Sequence, residues 1–240
     1  MILGIMQPYF FPYLGYLDLI NCSDRWIVFD TVQYIRHGWI NRNRVLHPIE
    51  GSQYIIVPLK KRKKEEKIVN VTIDNSQNWQ GKLIGQLQHY KKHAKYFDET
   101  ISLLETCISI KESSISKLNV LILEKVCCHL DISFNYEFLS EMNLEIEDVK
   151  EPGDWALKVS HAVGAEKYIN PPGGKELFDK RKFQELGIKL VIREMPSYKY
   201  NCRKYEYHNN LSIIDLLMWN SVEQIKKYLD EQKDKFLLME

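Results

Sequence analysis

Asn41, Arg42, Asn43 and Arg44 set two guanidinium forks and two amides side by side in the segment INRNRV. An arginine fork matches a phosphate or carboxylate through two parallel bonds, and an asparagine amide reads a sugar hydroxyl or a base edge. If the segment is extended, Arg42 and Arg44 face one way and Asn41 and Asn43 the other, so one pair meets a ligand. The competing use is structural, an arginine pair neutralised by Asp24 or Asp30. Asp30 and Gln33 follow the apolar run Trp26 to Phe29. A carboxylate there accepts from sugar hydroxyls, serves as a general base, or caps a turn. His37 is the candidate for moving a proton, because an imidazole changes charge near neutrality. Gln7 and Tyr9 follow an earlier apolar run, Ile2 to Met6, and join the binding set by position. Gly173, Gly174 and Lys175 form a glycine-rich turn with a cation, suited to closing over phosphate, although the spacing is not that of a P-loop.

Such groups need strands that end beside them. The runs 2–7 and 26–29 read as buried strands with functional loops after each, and ligands bind beyond the carboxyl ends of strands in open α/β sheets. Pro8 and Pro12 keep the aromatic turn Tyr9–Tyr16 out of helix until Gly15. Residues 31–45 show neither period cleanly and read as a loop. YIIVPL (54–59) reads as a strand and IVNVTID (68–74) as its return partner. Between them, KKRKKEEK (60–67) carries six basic residues and two acidic ones, a solvated tip or a phosphate clamp.

A helical stretch follows, with Trp79–His93 capped by Asn78, then 97–104 and 113–130. ISFNYEFL (132–139) reads as a strand, and Asp154 as the cap of a helix closed by Gly164. Residues 166–195 follow a strand–helix–strand order with the strands EKYIN and IKLVIREM, which requires a parallel pair. LSIIDLLMWNSVEQIKKYL (211–229) closes the chain as helix. The expected fold is a single α/β domain over 1–240, with a mostly parallel, Rossmann-like sheet and a helical insertion at about 78–130.

The totals exclude several classes. A formal net charge of +1 provides no global field toward nucleic acid. Five cysteines without ligand spacing fit reduced thiols, and Cys127-Cys128 falls on an apolar helix face. His89 and His93 stand four apart without a third ligand nearby, so no metal is called for. The N-terminus lacks the features of a signal peptide, and no window offers a membrane span; the expected location is cytoplasmic. SYKYNCRKYEYH (197–208) interleaves aromatics with cations, as base-stacking surfaces do.

QPYFFPYLGYLDLI (7–20), FDTVQYIRHGWINRNRV (29–45), VPLK (57–60), GAEKYINPPGGKELFD (164–179) and LSIIDLL (211–217) together resemble the WbqC-like family. Its members are bacterial proteins often encoded with O-antigen and other surface-polysaccharide genes. A partial resemblance links the N-terminus to nucleotidylyltransferases with an HxGH motif, where Tyr13-Leu14-Gly15-Tyr16 stands in the motif's place. Both motif histidines are replaced by tyrosine, neutral at pH 7.

The resemblance implies an enzyme of lipopolysaccharide and surface-polysaccharide biosynthesis acting on a nucleotide-linked sugar, with acyl or aminoacyl transfer to an amino sugar as the expected reaction. Arg42, Arg44 and Lys175 would neutralise phosphates, Gln33, Asn41 and Asn43 would orient the sugar, and Asp30 or His37 would move the proton. One rival is nucleotidyl transfer or adenylate formation, which needs ATP or CTP with Mg²⁺. The other is a non-catalytic scaffold of the same pathway.

Overall fold

The computed structural model describes residues 1–146, 149–194 and 197–239. In chain order its strands are β1 (Ile2–Met6), β2 (Arg25–Val28), β3 (Arg42–Leu46), β4 (Ser52–Ile56), β5 (Tyr136–Phe138), β6 (Lys167–Asn170) and β7 (Lys189–Ile192). Its α-helices are α1 (Leu14–Cys22), α2 (Trp79–Leu87), α3 (Phe97–Ile108), α4 (Ile115–His129), α5 (Asp154–Ala162), α6 (Lys180–Glu185), α7 (Ile213–Trp219) and α8 (Val222–Met239).

Side chains alternate between the two faces of β1 and β2, and both faces are covered, which makes two layers around one sheet. Leu3, Ile5 and Ile27 enter one core, with Ala156, Leu157 and Val159 of α5 and Phe183 of α6. Ile2, Met6, Trp26 and Val28 face the other core, which holds α1, α3, α4, α7 and α8. A strand apolar on both faces belongs in the middle of a covered parallel sheet. The sheet order is β5-β2-β1-β6-β7, and every neighbouring pair is parallel. From β1 the chain crosses through α1 to β2 on one side; from β6 it crosses through α6 to β7 on the other. Right-handed crossovers in opposite directions put α1 and α6 on opposite faces. The crevice where the two directions diverge lies beyond the carboxyl ends of β1 and β6. The fold is α/β with a mostly parallel sheet, as expected.

One buried charge pair ties the layers at α1. Asp18 is fully buried and receives two bonds from the Arg193 guanidinium, the Nη2 bond at 2.8 Å. Arg193 Nη2 also donates to Gln232 O at 3.2 Å, which joins α8 to the pair.

Several local expectations are corrected. Residues 42–46 are a strand, pairing antiparallel with β4 through a turn at Gly51, whose φ is +70°. The alternation is masked in the sequence because the inward position is the polar Asn43, 3% exposed. Residues 68–74 do not return as a hairpin. Pro58 interrupts the preceding strand, and the segment makes a 3-10 turn at Ile68–Asn70 with single bridges Leu59–Ile73 and Thr72–Ser114. The helix expected over 79–93 continues past Leu87 as a 3-10 turn, Gln88–Tyr90. Asn78 does cap it, accepting from Gly81 N at 3.1 Å. Asp154 is the first residue of α5 and not its cap: its Oδ2 accepts from Lys150 N and Glu151 N in the preceding turn. The last strand, expected over 188–195, is Lys189–Ile192, and Met195 lies outside the described residues.

Candidate functional site

A cavity of about 440 Å³ occupies the crevice beyond β1 and β6. From β1 and its loop come Met6, Gln7, Tyr9 and Tyr13; from β6 and its loop come Asn170, Pro171, Gly173 and Gly174. Trp39 closes one side, while Pro152, Trp155 and Ala156 at the start of α5 close another. Phe29 joins the wall from just beyond β2, edge-on against Trp155 at 5.8 Å. Among the described residues, no charged side chain lines the cavity. Aromatic rings in such a setting stack on the face of a sugar or a base, and amides choose its hydrogen-bonding edge.

The loop after β1 is held rigidly by buried amides. Asn43 Nδ2 donates to Phe10 O at 3.0 Å and to Phe11 O at 2.8 Å. Asn119 Nδ2, from α4, donates to Pro8 O at 2.8 Å and Ile40 O at 2.7 Å, tying this loop to the one that carries Trp39. Phe10 N donates to Trp39 O at 2.9 Å. Ser212 Oγ donates to Phe11 O at 2.8 Å. Phe11 itself has φ +39°, a left-handed backbone that a bulky residue adopts at a cost of about 1–3 kcal/mol. Side-chain donors from Asn43 and Ser212 hold its carbonyl, and Asn119 holds the loop at Pro8, so the cavity wall is pre-formed.

Two glycines permit close approaches on the opposite wall. A Cβ on Gly153 would fall 1.8 Å from Leu177 O, and one on Gly174 would fall 2.5 Å from Asn170 Nδ2. Asn170 is therefore confined, accepting from Tyr168 Oη at 2.8 Å and donating to Pro171 O at 2.7 Å. Gln7 is different. Its main-chain carbonyl accepts from Tyr16 Oη at 2.9 Å, whereas its side-chain amide has no partner among the described residues. Burial raises the phenol pKa values of Tyr9 and Tyr168, and burial together with the neighbouring Tyr9 raises that of Tyr13. These groups stay protonated at neutral pH and act as polar donors, not as bases.

The structure brings some sequence candidates to this cavity and holds others away. Gln7, Tyr9, Gly173 and Gly174 line it. Asp30 is buried outside it, accepting from Ser140 N at 3.1 Å and from Ser140 Oγ at 2.6 Å. Burial raises its pKa, and the bonds from Ser140 oppose that rise. Gln33 donates to Lys64 O at 3.0 Å on the surface. His37 is exposed with φ +67°, its carbonyl accepting from Arg42 Nη2. Asn41 bridges Tyr34 Oη, at 2.6 Å, and Val57 O, at 2.8 Å. Asn43 touches the cavity only through the loop it clamps. Arg42 lies over the Tyr54 ring at 4.3 Å and Arg44 over the Trp39 ring at 5.7 Å, so Arg44 reaches the cavity rim. Neither arginine has an ion pair among the described residues. Lys175 lies outside the cavity beside Glu176 and Lys180.

Trp39, Trp155, Phe29 and Asn170 complete the walls and were not singled out from the sequence. Trp39 and Asn170 stand in the segments GWINRNR and INPPGG, so their neighbourhood was marked. Trp155 follows the Pro152-Gly153 turn and is brought in only by the packing of α5. The tyrosines of 197–208 turn inward: Tyr200 Oη donates to the buried Asp215 at 2.5 Å and Tyr207 Oη to Tyr198 O at 3.0 Å. Of the HxGH-like quartet, Tyr13 lines the cavity, while Tyr16 is fully buried behind it.

The model of the WbqC-like protein family matches residues 7–227. A Mycobacterium tuberculosis (strain H37Rv) protein described as uncharacterized protein Rv1507c is 26% identical over 216 residues, covering 89% of this chain and 91% of that protein. No solved structure gives a match.

Proposed function

The chain belongs to the WbqC-like protein family, and from that membership we propose that it serves surface-polysaccharide assembly by binding a nucleotide-linked sugar at the β1/β6 crevice. The observation that carries this reading is a pre-formed aromatic cavity at the topological switch point of a doubly wound sheet, with no charged lining and no partner for the Gln7 amide among the described residues. Trp39 and Trp155 stack on the sugar or base, and Gln7 reads a hydroxyl or base edge. Gly173 and Gly174 let phosphate approach main chain, and Arg44 at the rim offers it a charge.

Acyl or aminoacyl transfer to an amino sugar is the proposed reaction. The unprotonated amine adds to the acyl carbonyl of the donor, and the oxyanion that develops accepts from the Gln7 amide and the Tyr9 phenol. Collapse breaks the acyl–carrier bond, the carrier leaving with the electron pair and taking up the proton the amine gives up. Asp30, committed to Ser140, has no part in this scheme.

The test is a thermal-shift and calorimetry panel of nucleotide-linked amino sugars, free nucleotides, and ATP with Mg²⁺. Nucleotide-linked amino sugars should raise the melting temperature by mass action. Trp39→Ala should weaken their binding by about tenfold, the loss of one stacking partner worth about 1.4 kcal/mol. Stabilisation by ATP with Mg²⁺ alone would favour nucleotidyl transfer, a reading supported by the start of α1 beside the cavity at Tyr13. Unchanged sugar-nucleotide affinity in Trp39→Ala and Gln7→Ala would sink the assignment of this cavity.

A further inference from the structure

A second concavity, about 600 Å³ and open to solvent, lies between the loop after β2 and the basic run 60–67. Gln33, Tyr34, Ile35 and Arg36 form one bank; Arg62, Lys63 and Lys64 form the other. The groove is built, not a fraying tip. Gln33 Nε2 donates to Lys64 O at 3.0 Å and Tyr34 N to Glu66 O at 2.8 Å. Arg62 is laid over the Tyr34 ring at 4.0 Å, and that ring is anchored through its hydroxyl to Asn41.

Arg36, Arg62, Lys63 and Lys64 have no carboxylate partner among the described residues. The contrast is with the basic run at the start of α6, where Arg181 pairs with Asp179 and Lys182 with Asp154. Ile35 stands among these cations at 60% exposure. The surface continues through the turn closed by Gly38 N on Ile35 O, at 3.1 Å, to the outer face of β3–β4. There Arg42 lies over Tyr54, and Ile56, opposite Arg42 in register, is 48% exposed. Cations without a carboxylate partner among the described residues and exposed aliphatic side chains thus share one face of a protein whose net charge is only +1, Arg42 alone being bonded to the Gly38 and His37 carbonyls.

We infer that this face docks on an anionic membrane surface, its cations on lipid phosphates and Ile35 and Ile56 in the headgroup layer. A hydrated anion would neutralise the cations but would not cover the isoleucines. Single-stranded nucleic acid would call for open aromatic faces, and the one ring in the groove, Tyr34, is already covered by Arg62. A bilayer with acidic headgroups satisfies both chemistries at once. The assignment rests on residues outside the cavity and stands whatever the cavity binds.

The test is flotation of the full chain with vesicles of phosphatidylcholine alone or mixed with phosphatidylglycerol, alongside binding to a single-stranded RNA homopolymer. Partition onto the mixed vesicles only, weakening with salt, is the expected result. The triple variant Arg62→Gln/Lys63→Gln/Lys64→Gln should lower it on the order of a hundredfold, at roughly fivefold per cation. Ile35→Ser leaves every charge in place and should lower it by about tenfold. Absence of binding to the mixed vesicles, tighter binding to RNA than to them, or an Ile35→Ser variant indistinguishable from the parent would each overturn the proposal. All the substituted side chains are exposed, so melting curves should coincide with the parent's and certify the comparison.

Discussion

The cavity beyond β1 and β6 and the outer face of β3–β4 with residues 60–64 adjoin through Arg44 and Trp39, yet they are opposite in physical character. The first has no charged lining among the described residues and is confined by buried amides. The second has unpaired cations and exposed isoleucines. The difference separates two requirements that are easily merged. Shape and orientation need groups already satisfied by their own scaffold; attraction of an anion needs groups left unsatisfied. Asn43 and Arg44 are chain neighbours on opposite faces of one strand, and they divide these duties between them.

That contrast can be broken most directly at Asn43. Asn43→Ala removes both donors to the Phe10 and Phe11 carbonyls and the acceptor for Arg44 N. Stranding buried polar groups in this way should cost about 3 kcal/mol, read by urea denaturation. Ligand affinity in the cavity should fall with it as Phe11 relaxes. A variant as stable as the parent would mean the clamp is incidental.

A smaller effect is expected at Asp30. Burial raises the folded pKa of this carboxyl above its unfolded value of about 3.9. The native state then holds the proton more tightly, so this group's contribution to stability falls as pH rises from the unfolded value through the folded one. Asp30→Asn should flatten that decline in a melting-temperature series while leaving sugar-nucleotide affinity within about twofold of the parent. A large loss of activity without loss of binding would restore Asp30 as a catalytic candidate.

The smallest effect belongs to the charged face. The Arg62→Gln/Lys63→Gln/Lys64→Gln protein should unfold within about 1 kcal/mol of the parent, because the exposed contact of Arg62 with the Tyr34 ring is the one local interaction lost among the described residues. A loss comparable to that of Asn43→Ala would show that the run is part of the core scaffold after all.

Much of this molecule was legible along the chain. Apolar runs stopped by Pro8 and Asp30, and the strand–helix–strand order of 166–195, were enough to expect a parallel sheet with loops of interest after β1, β2 and β6, since strand period and crossover geometry are local rules. That reasoning placed Gln7, Tyr9, Gly173 and Gly174 at the sheet's edge, where they line the cavity, because position after a strand puts a residue there whatever its neighbours do. β3 escaped because burial of Asn43 breaks the hydropathy alternation, and only main-chain carbonyls from a distant loop make an amide acceptable there. Whether a polar side chain spends its hydrogen bonds on its own scaffold or keeps them for a ligand depends on partners remote in sequence: Ser140 for Asp30, Phe10 and Phe11 for Asn43. The chain alone determined the sheet and the ends of it that matter. Tertiary structure decided that Asp30 is tied inside, that Trp39 and Trp155 line one crevice, and that Arg44 lies over Trp39 while Arg42 lies over Tyr54, because partner choice among polar groups is settled by packing and not by spacing.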